Sequence, residues 1–423
     1  MLQLLTTITT ISSIIHAILT IPGVKALENS PRNVAEGAEE VNARSPLDFT
    51  SRWARPQPRG PFAKRSLEEL AKRDGAIETS PNGAQYIWKL QDTYAGRTFF
   101  DDMMFFSDQD PTNGLVHYVT KERSFSQNYT YFEDDGTVIM QSDMKTKLNP
   151  GEKRESVRIE TQKTYNGGLF ILDLKRAPWG CAVWPAYWST ASNNAWPRDG
   201  EIDILEGTHD NEHNQITWHT TGGCYLDASQ KFTGTLLDKA ENGSVQCNED
   251  PVGGRYGCST MEWSQASYGP YFESQGGGIL AMKWDEYSIA VWSFFRAAIP
   301  KDVTSGAPQP STWGPPSAVL ANTKCNITDH FRNHVVIFDI TFCGDLAGNN
   351  YGTTQCPGTC AERLADPANL INATWHINSL KAYQKLPIYA TVGNGAASLQ
   401  YQWISTLLAG ITLVSLLVST VTC

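Results

Sequence analysis

The chain is short of basic charge. Its 423 residues carry 34 Lys and Arg against 44 Asp and Glu, a formal net charge of −10. A surface of that sign repels phosphates, which argues against nucleic acid as a partner. Also missing is any C-x2-C pair or paired histidine beside the C-x3-C of Cys356 and Cys360, so a zinc site is not expected, and nothing calls for a cofactor or another metal. Residues 27–82 have few large apolar side chains among many Pro, Arg, Glu and Ala. Such a stretch cannot bury enough surface to fold alone. The last residues, Ile404 to Cys423, contain no charge at all.

What the chain does have is aromatic: 13 Trp, 16 Tyr and 16 Phe, together with 34 Gly and 22 Pro. That mixture suits an all-β sandwich, and aromatic faces stack on the C–H faces of sugars. An acidic protein rich in aromatics fits a neutral polysaccharide. Of the nine cysteines, eight fall between Cys181 and Cys360, and the ninth is Cys423. An even eight is what a secreted, disulfide-bonded chain carries, although the pairing is not legible. Asn128, Asn242, Asn326 and Asn372 open N-x-S/T sequons and are candidate glycosylation sites.

The chemistry concentrates in Asp199–Gly207, which reads DGEIDILEG. Acids alternating with Ile over so short a length indicate a strand with one buried face. Glu201 and Asp203 then share a face, but Glu206 has the wrong parity. One β-bulge at Ile204-Leu205 returns Glu206 to the acidic face. The two glutamates are then about 13 Å apart along the backbone. Inward-leaning side chains can bring their carboxyls to about 5–5.5 Å, the separation that retaining glycosidases use. Neighbouring carboxylates also push their pKa values apart, so that one holds a proton while another stays ionised. An exposed acidic edge or a calcium site would not explain the alternation with Ile and the break in parity.

GEIDILEG resembles the signature of glycoside hydrolase family 16 in its bulged form E-x-D-x-x-E, and Trp184-Pro185-Ala186-Tyr187-Trp188 resembles the strand before it in fungal laminarinases. The likeness runs from about Tyr86 to Gln384, through DPTNG at Asp110, SVRI at Ser156, TWHT at Thr217, SYGP at Ser267 and TFCGDLAG at Thr341. It implies an all-β jelly-roll sandwich of two antiparallel sheets, concanavalin A-like, with an open substrate cleft, over residues 83–386. It also implies retaining hydrolysis of β-1,3 or mixed β-1,3/1,4 glucans, with β-glucan as the partner; separately, a monomer is expected. Glu201 is expected to be the nucleophile and Glu206 the acid/base, with Asp203 hydrogen-bonded to Glu201. The resemblance places His219 beside the acid/base carboxyl, directs Arg158 toward the cleft and makes Trp313 a sugar-stacking candidate. Trp184 and Trp188, on one strand face with Ala186 between them, form a candidate sugar shelf, with core packing the alternative, more so for Trp184. Trp196, in a Pro- and Asn-bearing loop, is a further candidate.

Along the rest of the chain, strands are expected at Tyr86–Leu90, Phe99–Phe106, Gly114–Val119, Thr137–Ser142, Val157–Thr161, Gly168–Leu174, Ile216–Thr221, Ile279–Phe295 (two), Val335–Phe342 and Trp375–Tyr383, with a long disulfide-held loop over Cys224–Ser264. Residues 1–26 read as a signal peptide and 27–82, with dibasic Lys64-Arg65 and Lys72-Arg73, as a pro-segment or linker. Small residues around Asn394, the expected attachment site in a 387–402 spacer, precede a hydrophobic tail at 403–423. This is the pattern of a glycolipid anchor, and no basic stop-transfer residue follows the tail. The expected place is therefore the cell surface, on the plasma membrane or cell wall. Three functions compete: an endo-β-glucanase, a glucan transglycosylase of the same family, and a non-catalytic β-glucan-binding module.

Overall fold

The computed structural model describes residues 75–388 apart from 194 and 195. The signal peptide, almost all of the 27–82 segment, Asn394 and the hydrophobic tail lie outside the described residues. Two antiparallel sheets face each other. The first has eight strands, in spatial order Thr235–Leu236, Cys258–Glu262, Asn214–His219, Glu201–Glu206, Val183–Ala191, His334–Phe342, Arg158–Thr161 and Met103–Phe106. The second has nine, and its centre is Gln85–Ala95, Thr374–Pro387, Gly168–Arg176, Gly278–Trp284 and Ser288–Phe295.

Period-2 patterning decides what fills the space between the sheets. From the first sheet come Tyr187, Ile202, Ile204, Leu205, Ile216, Trp218 and Phe338; from the second, Phe170, Leu172, Leu280, Met282, Ile289 and Trp375. Phe338 joins the two layers: Tyr187 stacks on it at 4.7 Å and Trp375 meets it edge-on at 5.5 Å. The Trp375 indole N–H finds a buried partner in the Asp339 carbonyl, 3.0 Å away, so the large ring buries without leaving a donor unsatisfied.

Three expectations change. Of Phe99–Phe106, only Met103–Phe106 is strand; Gly96–Thr98 is a 3-10 turn, and Phe99 and Phe100 are fully buried anchors beneath it. The ordered domain begins before residue 83, because Ile77–Thr79 pairs with Gln85–Ile87 through a turn at Ser80–Gly83. Glu78 is buried there and accepts from the Ser311 hydroxyl at 2.9 Å, a contact from far along the chain. Cys224–Ser264 is not simply a loop: it holds several short strands, of which Cys258–Glu262 joins the eight-stranded sheet beside Asn214–His219.

The eight cysteines form four disulfides: Cys181–Cys356, Cys224–Cys325, Cys247–Cys258 and Cys343–Cys360. Cys356 and Cys360 thus bond to separate partners, Cys181 at a separation of 175 residues and Cys343 at 17. Cross-links of this kind typically contribute about 2–4 kcal/mol each by restricting the unfolded chain.

Candidate active site

The acidic strand runs Glu201–Glu206, and its register shows the bulge on both sides. Against the Val183–Ala191 strand, Trp188 faces Asp203 and Tyr187 faces Leu205, leaving Ile204 over. Against Asn214–His219, Asp203 faces Thr217 and Glu206 faces Gln215, so two residues oppose Ile216 alone. Ile204 and Leu205 are both fully buried, and the three acids emerge on the opposite face. Buried Asn214 fastens the irregularity. Its amide donates to the Ile204 carbonyl at 2.8 Å and accepts from the Glu206 N–H at 2.9 Å, satisfying groups that the bulge takes out of the ladder. Gly207 ends the motif because a Cβ there would lie 2.2 Å from the Tyr268 ring.

Cross-strand pairing then arranges the neighbours in rows. Thr190, Glu201 and His219 form one row, Trp188, Asp203, Thr217 and Ser259 the next, and Ala186, Glu206, Gln215 and Met261 the third. The His219 Nε2 lies 2.9 Å from Asp203 Oδ2 and 3.8 Å from Glu201 Oε1, and its Nδ1 lies 2.6 Å from Glu249 Oε1. Glu206 accepts from the Trp184 indole N–H and from the Gln215 amide, each at 3.1 Å. Trp188 donates to Asp339 Oδ2 at 2.9 Å. The Arg158 guanidinium lies against the faces of Phe106 at 4.3 Å and Trp188 at 4.8 Å, a cation–π sandwich.

Burial is the main electrostatic force here. It pushes Glu201 and Glu206 up, and the charge of Asp203 between them adds to the rise. The His219 ring opposes this at both glutamates, joined by Arg158 at Glu201 and by the Trp184 N–H at Glu206. Burial would discharge His219, but the carboxylates of Asp203 and Glu249 outweigh it and keep the ring protonated well above its ordinary value. Asp339 is pushed up to about 7 by burial, against the pull of Arg158 and the Trp188 N–H. Glu201, Asp203 and His219 present donor atoms within 4.8 Å of one another, and the hydrogen bond between His219 and Asp203 already accounts for that closeness. The group therefore holds a raised carboxylic acid close to a carboxylate beside an imidazolium. That pairing can protonate one oxygen while attacking a carbon.

Most of the expected site residues come together on this face. Trp184 is nearly covered, so its exposed contribution is the N–H at Glu206 rather than a broad shelf; Trp188 is half-exposed. Trp196 is 51% exposed, with its ring 6.4 Å from that of His219. Three expectations are corrected. Asp203 hydrogen-bonds the His219 ring at 2.9 Å rather than Glu201. His219 sits beside Glu201 and Asp203, because the register opposes it to Glu201; the partners of Glu206 are Trp184, Gln215 and Asn214. Trp313 is not on the acidic face at all. It packs at right angles on Trp292 and Phe294 of the other sheet, donates to Asp302 at 2.7 Å, and belongs to a second apolar cluster on that sheet's outer side. Sequons Asn128, Asn242 and Asn326 are exposed and Asn372 is half-buried. Asp339, Glu249 and Gln215 were not foreseen. For Asp339 a signal existed, a lone acid inside the apolar run VVIFDITF; for Glu249 and Gln215 the sequence carried none.

Residues 103–383 match the family model described as an XgeA-like, catalytic GH16 domain. A probable endo-1,3(4)-β-glucanase of Aspergillus clavatus is 38% identical over 320 residues, covering 73% of this chain and 48% of that protein; the chain spans about half the length of this curated relative. A solved elongating GH family 16 β-1,3-glucosyltransferase is 37% identical with a TM-score of 0.65, covering 70% of this chain and all of that one. Laminarinase 16A of Phanerochaete chrysosporium, solved with 6-O-glucosyl-laminaritriose in donor and acceptor sites, is 36% identical with the same TM-score, over 71% of this chain and 99% of that one.

Proposed function

The chain belongs to glycoside hydrolase family 16, and on that premise we propose that it is a retaining endo-1,3(4)-β-glucanase acting on internal β-1,3 or mixed β-1,3/1,4 linkages. The observation that carries this reading is the bulge, which puts Glu201 and Glu206 on one face with Asp203 between them. The ionised Glu201 attacks the anomeric carbon as the glycosidic C–O bond breaks, and the Glu206 proton passes to the departing oxygen. Glu206, now a carboxylate, takes a proton from water, whose oxygen bonds to the anomeric carbon while the glycosyl–Glu201 ester bond breaks. Asp203 holds the protonated His219 against Glu201. Trp188 and Trp196 offer ring faces to sugars.

The roles are tested by azide. Glu201→Ala is expected to abolish turnover and regain it with azide, giving an inverted glycosyl azide. Glu206→Ala is expected to keep activity on good leaving groups and to give a retained product. Opposite stereochemistry would exchange the two roles. Products from a pure β-1,3-glucan and a mixed-linkage glucan settle the substrate; no cleavage of either would refute the reading.

A second reading, transfer to a sugar hydroxyl instead of water, is favoured by the 37% identity to an elongating glucosyltransferase, whose whole length the chain covers. Lengthened products from a labelled oligosaccharide acceptor would establish it. We place the enzyme outside the cell on a glycolipid anchor near Asn394, on the strength of the charge-free tail. Retention on membranes after phosphatidylinositol-specific phospholipase, with Cys423 intact by mass spectrometry, would exclude the anchor.

A further inference from the structure

Glu249 reaches the site from outside the eight-stranded sheet. It opens a small hairpin, Glu249–Asp250 paired with Arg255–Tyr256. The hairpin's two ends are joined by the Cys247–Cys258 disulfide, and Cys258 lies in register opposite Trp218, the residue before His219. The hairpin is therefore tied at its root to the strand beside His219. Gly257 lets it close down. Its φ is +77°, and a Cβ there would lie 2.6 Å from the Trp218 carbonyl and 2.8 Å from His219 Nδ1. Any side chain at 257 would lift the hairpin off the ring.

The outcome is an imidazole clasped at both nitrogens by carboxylates, Glu249 at 2.6 Å and Asp203 at 2.9 Å. A neutral imidazole has one N–H and can donate to only one of them; the imidazolium donates to both. Its Nε2 edge also faces Glu201 at 3.8 Å. We propose that Glu249 is a positioning residue for catalysis: through His219 it keeps a positive charge beside Glu201, which opposes the burial that would protonate the nucleophile. The proposal rests on the roles given above to Glu201 and Glu206.

The other charges that bear on this group are known. Asp203 and Glu201 face the ring from the acidic strand, with Glu206 farther along it, and Trp196 covers it at 6.4 Å. Arg158 is the cation acting on Glu201 besides the ring. Because Arg158 remains when the ring loses charge, Glu201 is expected to move only part of the way.

The test is Glu249→Gln, which keeps size and hydrogen-bonding capacity but removes the charge. The ring loses one of its two anions, so its pKa falls, Glu201 loses part of its cationic neighbour, and the Glu201 pKa rises. An opposite charge at this range shifts a carboxylate by about 1–3 units. The acidic limb of kcat/KM on a soluble β-1,3-glucan should therefore move up by about one pH unit, with about a tenfold loss of activity below the limb; the ring also lowers Glu206, farther along the strand, so the basic limb moves in the same direction. Histidine ring NMR of the same variant should show His219 titrating at lower pH than in the wild type. Glu249→Asp, with the carboxylate drawn back by one methylene, should fall between the two. An unmoved acidic limb, with only kcat lowered, would overturn the proposal and leave the hairpin as a scaffold. An unmoved His219 titration would overturn it as well. If the wild type cleaves no β-glucan, the substrate reading fails, and the ring titration alone still decides for or against the clasp.

Discussion

Replacing Trp184 by Phe removes one atom group of consequence, the indole N–H that Glu206 Oε1 accepts at 3.1 Å. The ring stays apolar but is smaller at a nearly covered position, so some loss of Tm is expected beside the electrostatic effect, and the pH profile separates the two. A hydrogen bond to a charged group contributes about 1.5–3 kcal/mol. This one favours the ionised form of Glu206, so losing it raises that pKa further. One pKa unit corresponds to about 1.36 kcal/mol. Gln215 still donates to the other oxygen at 3.1 Å, so the lower end applies, a rise of about one unit. If Glu206 is the proton donor, it stays protonated to higher pH, and the basic limb of kcat/KM moves up by that amount. The acidic limb, set by Glu201, should not move. The assay is the pH profile of kcat/KM on an oligosaccharide, beside an aryl glycoside whose leaving group needs no proton and whose basic limb should be insensitive. A shift confined to the acidic limb would refute the assignment of Glu206 as the acid.

The site should cost stability at alkaline pH. Burial lifts the folded-state pKa of Glu206 above its unfolded value, so its share of stability is whole below about 4.5 and is lost as pH rises toward about 8. Glu206→Gln should raise Tm by a few degrees at about pH 8 and leave it unchanged at about pH 4; equal effects at both would exclude this source. The two tryptophans on opposite sides of the fold should separate cleanly. Trp188→Ala is expected to weaken substrate binding by roughly 1–3 kcal/mol, read as KM, whereas Trp313→Ala should lower Tm and leave KM alone. An increase in KM for Trp313→Ala would return that residue to the substrate.

The acidic strand could be read from the chain because parity is a local property. Glu201, Asp203 and Glu206, with Ile202, Ile204 and Leu205 between them, specify one buried face and one bulge whatever lies beside them, and Trp184 and Trp188 follow the same period-2 rule. The eight cysteines between Cys181 and Cys360 likewise make an even set once Cys423 is set aside. What lies opposite each acid is another matter, because neighbours across a sheet are set by strand order and register. His219 stands beside Glu201, and not Glu206, through a register fixed by the bulge. Asp339 reaches Trp188 from 151 residues away, Cys181 pairs with Cys356 across 175, and a disulfide-rooted hairpin brings Glu249 onto His219. Trp313 carries a sugar-stacking side chain in a suitable loop, yet the loop folds over the outer face of the other sheet, where Trp292 and Phe294 pack edge-on against it. Strand periodicity fixes which way a side chain points, and only the closed sandwich fixes what it meets.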